Sequence, residues 1–151
     1  MEMEIEYKFL VDHEVWSKVE KPEPTLIVQG YISKSVESTV RVRIKGDKGF
    51  LTIKGKTKGI RRAEFEYEIP VQDAESMIDL FTDKHIRKHR YEIVVAGKTW
   101  EVDEFHGPLE GLILAELEVE SEEEKFEKPI WITDDVSTNS NYFNAVLIDQ
   151  C

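Results

Sequence analysis

The chemistry in this chain lies in charged residues set at every second position. Glu4, Glu6 and Lys8 alternate with Ile5, Tyr7 and Phe9, and the pattern recurs: Arg41, Arg43 and Lys45 with Val42 and Ile44; Lys54 and Lys56 around Gly55, with Ile53 beside them; Glu64 and Glu66 with Phe65 and Tyr67. Lys88 and Arg90 share a parity, as do Glu101 and Asp103, and Glu116 and Glu118 flank Leu117. Side chains of a β-strand point to opposite faces in turn, so each run is a strand with one ionic and one apolar face. The ionic faces are segregated into acidic and basic strands. One reading is a solvated sheet face steadied by cross-strand ion pairs, each contributing a few tenths to about 1 kcal/mol. The other is a shared lining, which must be wet or filled by ligand because dry burial of ions costs several kcal/mol each. A ligand that needs both signs is a metal–polyphosphate complex, since arginine and lysine grip phosphate oxygens and carboxylates hold hard Mg²⁺ or Mn²⁺. Same-face residues on one strand are about 7 Å apart, so a compact metal site must draw carboxylates from adjacent strands, about 4.8 Å apart.

The elements that would position these residues follow from periodicity. Strands are expected at Glu2–Phe9, Leu26–Ser33, Thr39–Lys45, Phe50–Lys56, Arg62–Pro70, Lys88–Val95, Lys98–Phe105 and Leu112–Glu120, with hairpin turns at Gly46–Gly49 and Ala96-Gly97. Asp12 reads as the cap of a short helix through Val15, Trp16 and Val19, followed by the loop Lys21-Pro22-Glu23-Pro24. A helical period spans Gln72–Asp83, a short acidic helix is expected from Ser121 to Pro129, and a last helix from Asn141 towards Asp149. Eight strands with hairpin links fit an antiparallel barrel, and they also fit an open sheet with helices on one face.

Composition narrows the setting. A chain of 151 residues with 40% hydrophobic and 34% charged residues is a single globular domain. No apolar run reaches the roughly 18 residues of a membrane span, and the acidic start lacks a signal-peptide pattern, so a cytoplasmic protein without a membrane partner is expected. The 31 acids against 20 bases give a net charge of −11, which opposes nucleic-acid binding. The single Cys151 excludes a disulfide framework, and His13, His85, His89 and His106 show no zinc-site spacing.

Glu4-Ile5-Glu6-Tyr7-Lys8 matches the ExExK signature, and Gln29-Gly30-Tyr31, Arg41-Val42-Arg43, Thr52-Ile53-Lys54, Arg62-Ala63-Glu64-Phe65-Glu66, the Lys88–Tyr91 segment, Asp103 and Glu116-Leu117-Glu118 follow in order. Over nearly its whole length the chain thus resembles the CYTH family, the triphosphate tunnel metalloenzymes. The resemblance implies a mainly β architecture, an eight-stranded antiparallel barrel forming a charged tunnel with a few flanking helices. It implies Mg²⁺ or Mn²⁺ held by Glu4, Glu6, Glu116 and Glu118. Glu64, Glu66 and Asp103 would bind metal or orient water, with Lys88 beside them. Lys8, Arg41, Arg43, Lys54, Lys88 and Arg90 would grip a small-molecule triphosphate, joined by Arg62 and Tyr31. Asn141-Tyr142-Phe143-Asn144 keeps the tyrosine and asparagine of a C-terminal family element but lacks its neighbouring base, while Glu68 and Glu120 read as solvated strand ends. The expected activity is metal-dependent cleavage of tripolyphosphate into pyrophosphate and phosphate. The alternatives are a class IV adenylate cyclase, a thiamine or nucleoside triphosphatase, and a non-catalytic polyphosphate- or nucleotide-binding module. A homodimer is compatible with the pattern.

Overall fold

Alternation along the strands produces a barrel that is ionic inside and apolar outside. The computed structural model describes residues 2–151. Its strands are β1 (Glu2–Val11), β2 (Thr25–Lys34), β3 (Ser38–Lys45), β4 (Lys48–Gly55), β5 (Arg61–Ile69), β6 (Ile86–Val95), β7 (Lys98–Phe105), β8 (Ile113–Glu118) and β9 (Ile132–Asp135). The helices are α1 (His13–Ser17), α2 (Val71–Phe81) and α3 (Asn144–Leu147). The sheet runs β5-β4-β3-β2-β6-β7-β8-β1, and antiparallel pairing of β5 with β1 closes eight strands into a barrel. No strand of the closed ring is left as an open edge. The unexpected β9 pairs with Phe9 and Val11 of β1, along the stretch beyond the Glu2–Ile5 pairing with β5.

With charges turned inward over much of the barrel, two of the three hydrophobic clusters form outside it. Ile5, Phe9, Trp100, Val102, Ala115 and Leu117 project from β1, β7 and β8 and pack with Trp16 of α1 and Trp131. Each large side chain fully buried this way contributes about 1.5–3 kcal/mol. A second cluster forms where α2 lays Ala74 and Ile78 on Val42, with Val28 and Ile44 packed against them. Gly49 permits that approach, because a Cβ there would stand 2.9 Å from the Ala74 Cβ. The third cluster fills one part of the barrel interior: Leu10, Ile86, Phe105 and Leu114 meet Val136, Leu147 and Ile148 of the C-terminal segment.

Three expected elements differ. The segment after Ser121 makes a turn and then runs extended instead of forming a helix. Phe126 is drawn into contact with Tyr7, Phe9 and Trp100, and the Glu124 carboxylate accepts from Glu120 N–H and pairs with Lys98. Tertiary packing overrides the local helical preference. The last helix is broken into a 3₁₀ turn at Ser140–Tyr142, α3, and a second 3₁₀ turn at Ile148–Gln150, because Phe143 is extended at φ −73° and ψ 137°. The remaining helix runs Val71–Phe81, slightly earlier than its period suggested. The β6–β7 turn is as expected, with Ala96 and Gly97 both at positive φ.

Candidate functional site

Parity carries side chains from all eight barrel strands, Glu101 of β7 among them, into one cavity of about 720 Å³. Glu4, Glu6 and Lys8 from β1, Tyr31 from β2, Arg41 and Arg43 from β3, and Lys54 from β4 line it. So do Arg62, Glu64 and Glu66 from β5, Arg90 from β6, and Glu116 and Glu118 from β8. Lys88 and Asp103 are not part of the lining; both are buried, at 1% and 0% exposure, behind it. Glu68 and Glu120 are exposed, as expected of strand ends.

The basic residues divide by partner. Lys54 Nζ donates to both oxygens of Glu4 at 2.9 and 3.0 Å and lies 3.4 Å from Glu64. Lys8 Nζ donates to the Tyr142 carbonyl at 3.0 Å and sits 3.8 Å from Glu116. Arg90 clamps Asp103 through Nε at 2.8 Å and Nη2 at 2.9 Å, and donates through Nη1 to Glu101 at 3.0 Å. Lys88 Nζ stands 2.8 Å from the same Asp103 and 3.4 Å from Asn144 Oδ1. Arg41 and Arg43 share Glu66, which also accepts from Thr52 at 2.8 Å. The Nε atoms of Arg41, Arg43 and Arg62 are buried with no acceptor. Buried guanidinium donors left unpaired are costly.

The carboxylates crowd one another. Burial and the charges of Glu116 and Glu4 push Glu6 well above the usual carboxylate range. Burial and the Glu4 charge push Glu64 up to about 7, and burial with Glu4 and Glu101 raises Glu118. Burial also acts against Glu4 and Glu116, but Lys54 holds the first below its ordinary value, and Lys8, Arg90 and Lys88 depress the second. Burial lowers Lys88 to about 8 in spite of Asp103, and lowers Arg43 to about 10 with help from Arg41 and Arg90. Desolvation disfavours Asp103 as an anion, yet Arg90 and Lys88 hold it below its ordinary value.

Among the described residues no three carboxylates or histidines converge into a protein-only metal cage. What the cavity offers is neighbouring pairs whose charges act on each other: Glu6 with Glu116, and Glu4 with Glu64. This donor set fits Mg²⁺ or Mn²⁺, which prefer one or two carboxylates completed by water and phosphate oxygens. A dication would also relieve the repulsion that raises Glu6. His89, by contrast, meets His106 at 2.6 Å on the outer wall, away from these glutamates.

Several contributors were given no site role in the sequence reading. Glu101 was read on the ionic face of Asp103, and Thr52 shares the parity of Lys54, so both carried a readable signal. Asn144 and Tyr142 were noted only through the family resemblance, and the cavity-lining Ser137 and Ser140 carried no signal, since the C-terminal segment has no alternation to reveal what it faces.

A closed antiparallel barrel with a lining of opposed basic and acidic side chains is suited to hold a polyanion together with a cation. The family model for the CYTH domain matches residues 2–146, and the chain belongs to that family. It is 44% identical over 149 residues to an inorganic triphosphatase of Acetivibrio thermocellus, covering 98% of this chain and 94% of that protein. It is 32% identical over 123 residues to an inorganic triphosphatase of Nitrosomonas europaea, covering 79% of this chain and 81% of the relative. A crystal structure of an inorganic triphosphatase superposes with a TM-score of 0.67 at 29% identity, covering 98% of this chain and 95% of the other.

Proposed function

We propose that the chain hydrolyses inorganic tripolyphosphate to pyrophosphate and orthophosphate with a divalent metal, Mg²⁺ or Mn²⁺, carried by Glu4, Glu6, Glu116 and Glu118. The observation that carries this reading is one cavity whose lining sets Arg41, Arg43, Arg62, Lys54 and Arg90 against crowded, mutually repelling glutamates. An anion is needed for the first and a cation for the second.

Arg41, Arg43, Arg62, Lys54, Lys8 and Arg90 bind the phosphate oxygens and counter charge on the transferred and leaving groups. When bound, the dication neutralises phosphate oxygens and lowers the pKa of coordinated water. Tyr31 lines the same cavity. Glu64, with its carboxyl near neutrality, accepts the proton of the attacking water. The water oxygen bonds to the terminal phosphorus, the bridging P–O bond breaks, and pyrophosphate leaves. Glu66 fixes the two guanidinium groups it shares. Asp103 and Lys88, behind the cavity wall, act as positioning residues that hold Arg90.

The ionic lining favours an all-phosphate ligand, because recognition of a base needs directed hydrogen bonds or stacking surfaces. Equal concentrations of tripolyphosphate and ATP, with Mg²⁺ and product identification by phosphorus NMR, provide the test. Faster loss of tripolyphosphate is expected. Preferential ATP consumption, or cyclic AMP among the products, overturns the substrate choice.

A further inference from the structure

At one end of the barrel the cavity is rimmed by the β2–β3 hairpin (Ser35, Val36), the β4–β5 connection (Thr57, Ile60) and the C-terminal segment (Val146, Asp149), and its lining reaches towards the other end as far as Lys45. Two lysines stand on this rim. Lys34 is committed: its ammonium pairs with Asp149 and donates to the Ala145 carbonyl at 2.9 Å, clasping the hairpin to the C-terminal segment. Lys56 is exposed, lines the cavity and makes no ion pair among the described residues.

The rest of the surface opposes the substrate. The chain carries a net charge of −11, and the far end of the barrel bears Glu2, Asp47, Glu68, Glu92 and Glu120 against Lys45, Lys48 and Lys98. A highly charged anion approaching such a molecule is repelled everywhere except where the local potential is positive. Resting on the triphosphatase reading above, we propose that Lys56 is an electrostatic steering residue that draws tripolyphosphate into the barrel through the Lys34–Lys56 mouth and takes no part in the chemical step.

A steering charge has a kinetic signature that a phosphate-gripping residue lacks. It raises kcat/KM at low ionic strength, loses that effect when salt shortens the screening length, and leaves kcat unchanged. The experiment measures phosphate release from tripolyphosphate by the full chain and by Lys56→Ala, Lys56→Glu and Asp47→Lys variants, at low and high salt. Asp47, exposed in the β3–β4 turn, outside the cavity lining and in no ion pair among the described residues, is the control position. For Lys56→Glu, a two-unit charge reversal roughly 10 Å from a polyanion predicts kcat/KM lower by about ten-fold at low ionic strength. Lys56→Ala should show about a three-fold loss, and both gaps should close to within about two-fold at roughly 0.5 M salt. kcat should hold throughout, and Asp47→Lys should change kcat/KM less than about two-fold. A fall in kcat, a deficit that persists in high salt, or a gain in Asp47→Lys as large as the loss in Lys56→Glu overturns the proposal. The comparison is a ratio to the unmodified chain, whose own phosphate release tests the triphosphatase reading separately.

Discussion

At the residue scale, the same carboxylates that suit the cavity to a dication destabilise it when none is bound. Glu6 is held well above its ordinary pKa by burial and by Glu116 and Glu4, so its ionisation weakens the metal-free fold. Glu6→Gln removes that charge at nearly constant volume. Turnover should fall by roughly 100-fold or more, as when several kcal/mol of electrostatic stabilisation are lost. Its melting temperature in chelator-treated buffer should rise. A variant with near-normal turnover at saturating Mg²⁺ would remove Glu6 from the metal set. The pH dependence follows in sign from Glu64, raised to about 7 from an unfolded value near 4.3. A carboxyl raised on folding contributes stability that is complete below the unfolded value and is lost as pH rises through the folded one. Thermal melting of the metal-free protein between pH 5 and 8 should therefore show stability declining towards pH 8, and Glu64→Gln should flatten the decline.

At the element scale, β6 and β7 are joined inside the barrel by Asp103 between Lys88 and Arg90. Asp103→Asn leaves two buried cations short of their counter-ion. Breaking such a group typically costs about 3–5 kcal/mol, which denaturant unfolding would register, together with slower turnover from a displaced Arg90. This buried group also shows what could be read from the chain. Alternation marked an ionic face on seven of the eight barrel strands, all but β2, because a period of two assigns a face without knowledge of the neighbours. It could not tell that Asp103 and Lys88 lie behind the lining, since depth depends on barrel tilt and on which inward residues are apolar, such as Phe105 and Leu114. The helix expected after Ser121 failed for a different reason: Phe126 gains more from the aromatic cluster than its segment gains from helical bonds. β9, four residues with no period, was invisible until β1 offered it pairing partners.

At the scale of the whole molecule, the barrel is inverted: its hydrophobic cores lie on the outer wall and beneath the C-terminal segment, and the centre is left as an ionic cavity. Stability and binding are therefore linked. Ligands that satisfy the cavity bind only the folded state, so tripolyphosphate with Mg²⁺ at about 100 times its Kd should stabilise the protein by about 2.7 kcal/mol, seen as a higher melting temperature on a time scale shorter than turnover. Neither ligand alone should match the pair, because each leaves one sign of charge unanswered. The most direct test of the account is orthophosphate release from tripolyphosphate by the purified chain, with Mg²⁺ or with excess chelator. The account predicts rapid release as equimolar phosphate and pyrophosphate with Mg²⁺ and loss of nearly all activity with chelator. Undiminished hydrolysis in chelator, or no hydrolysis with either Mg²⁺ or Mn²⁺, would contradict it.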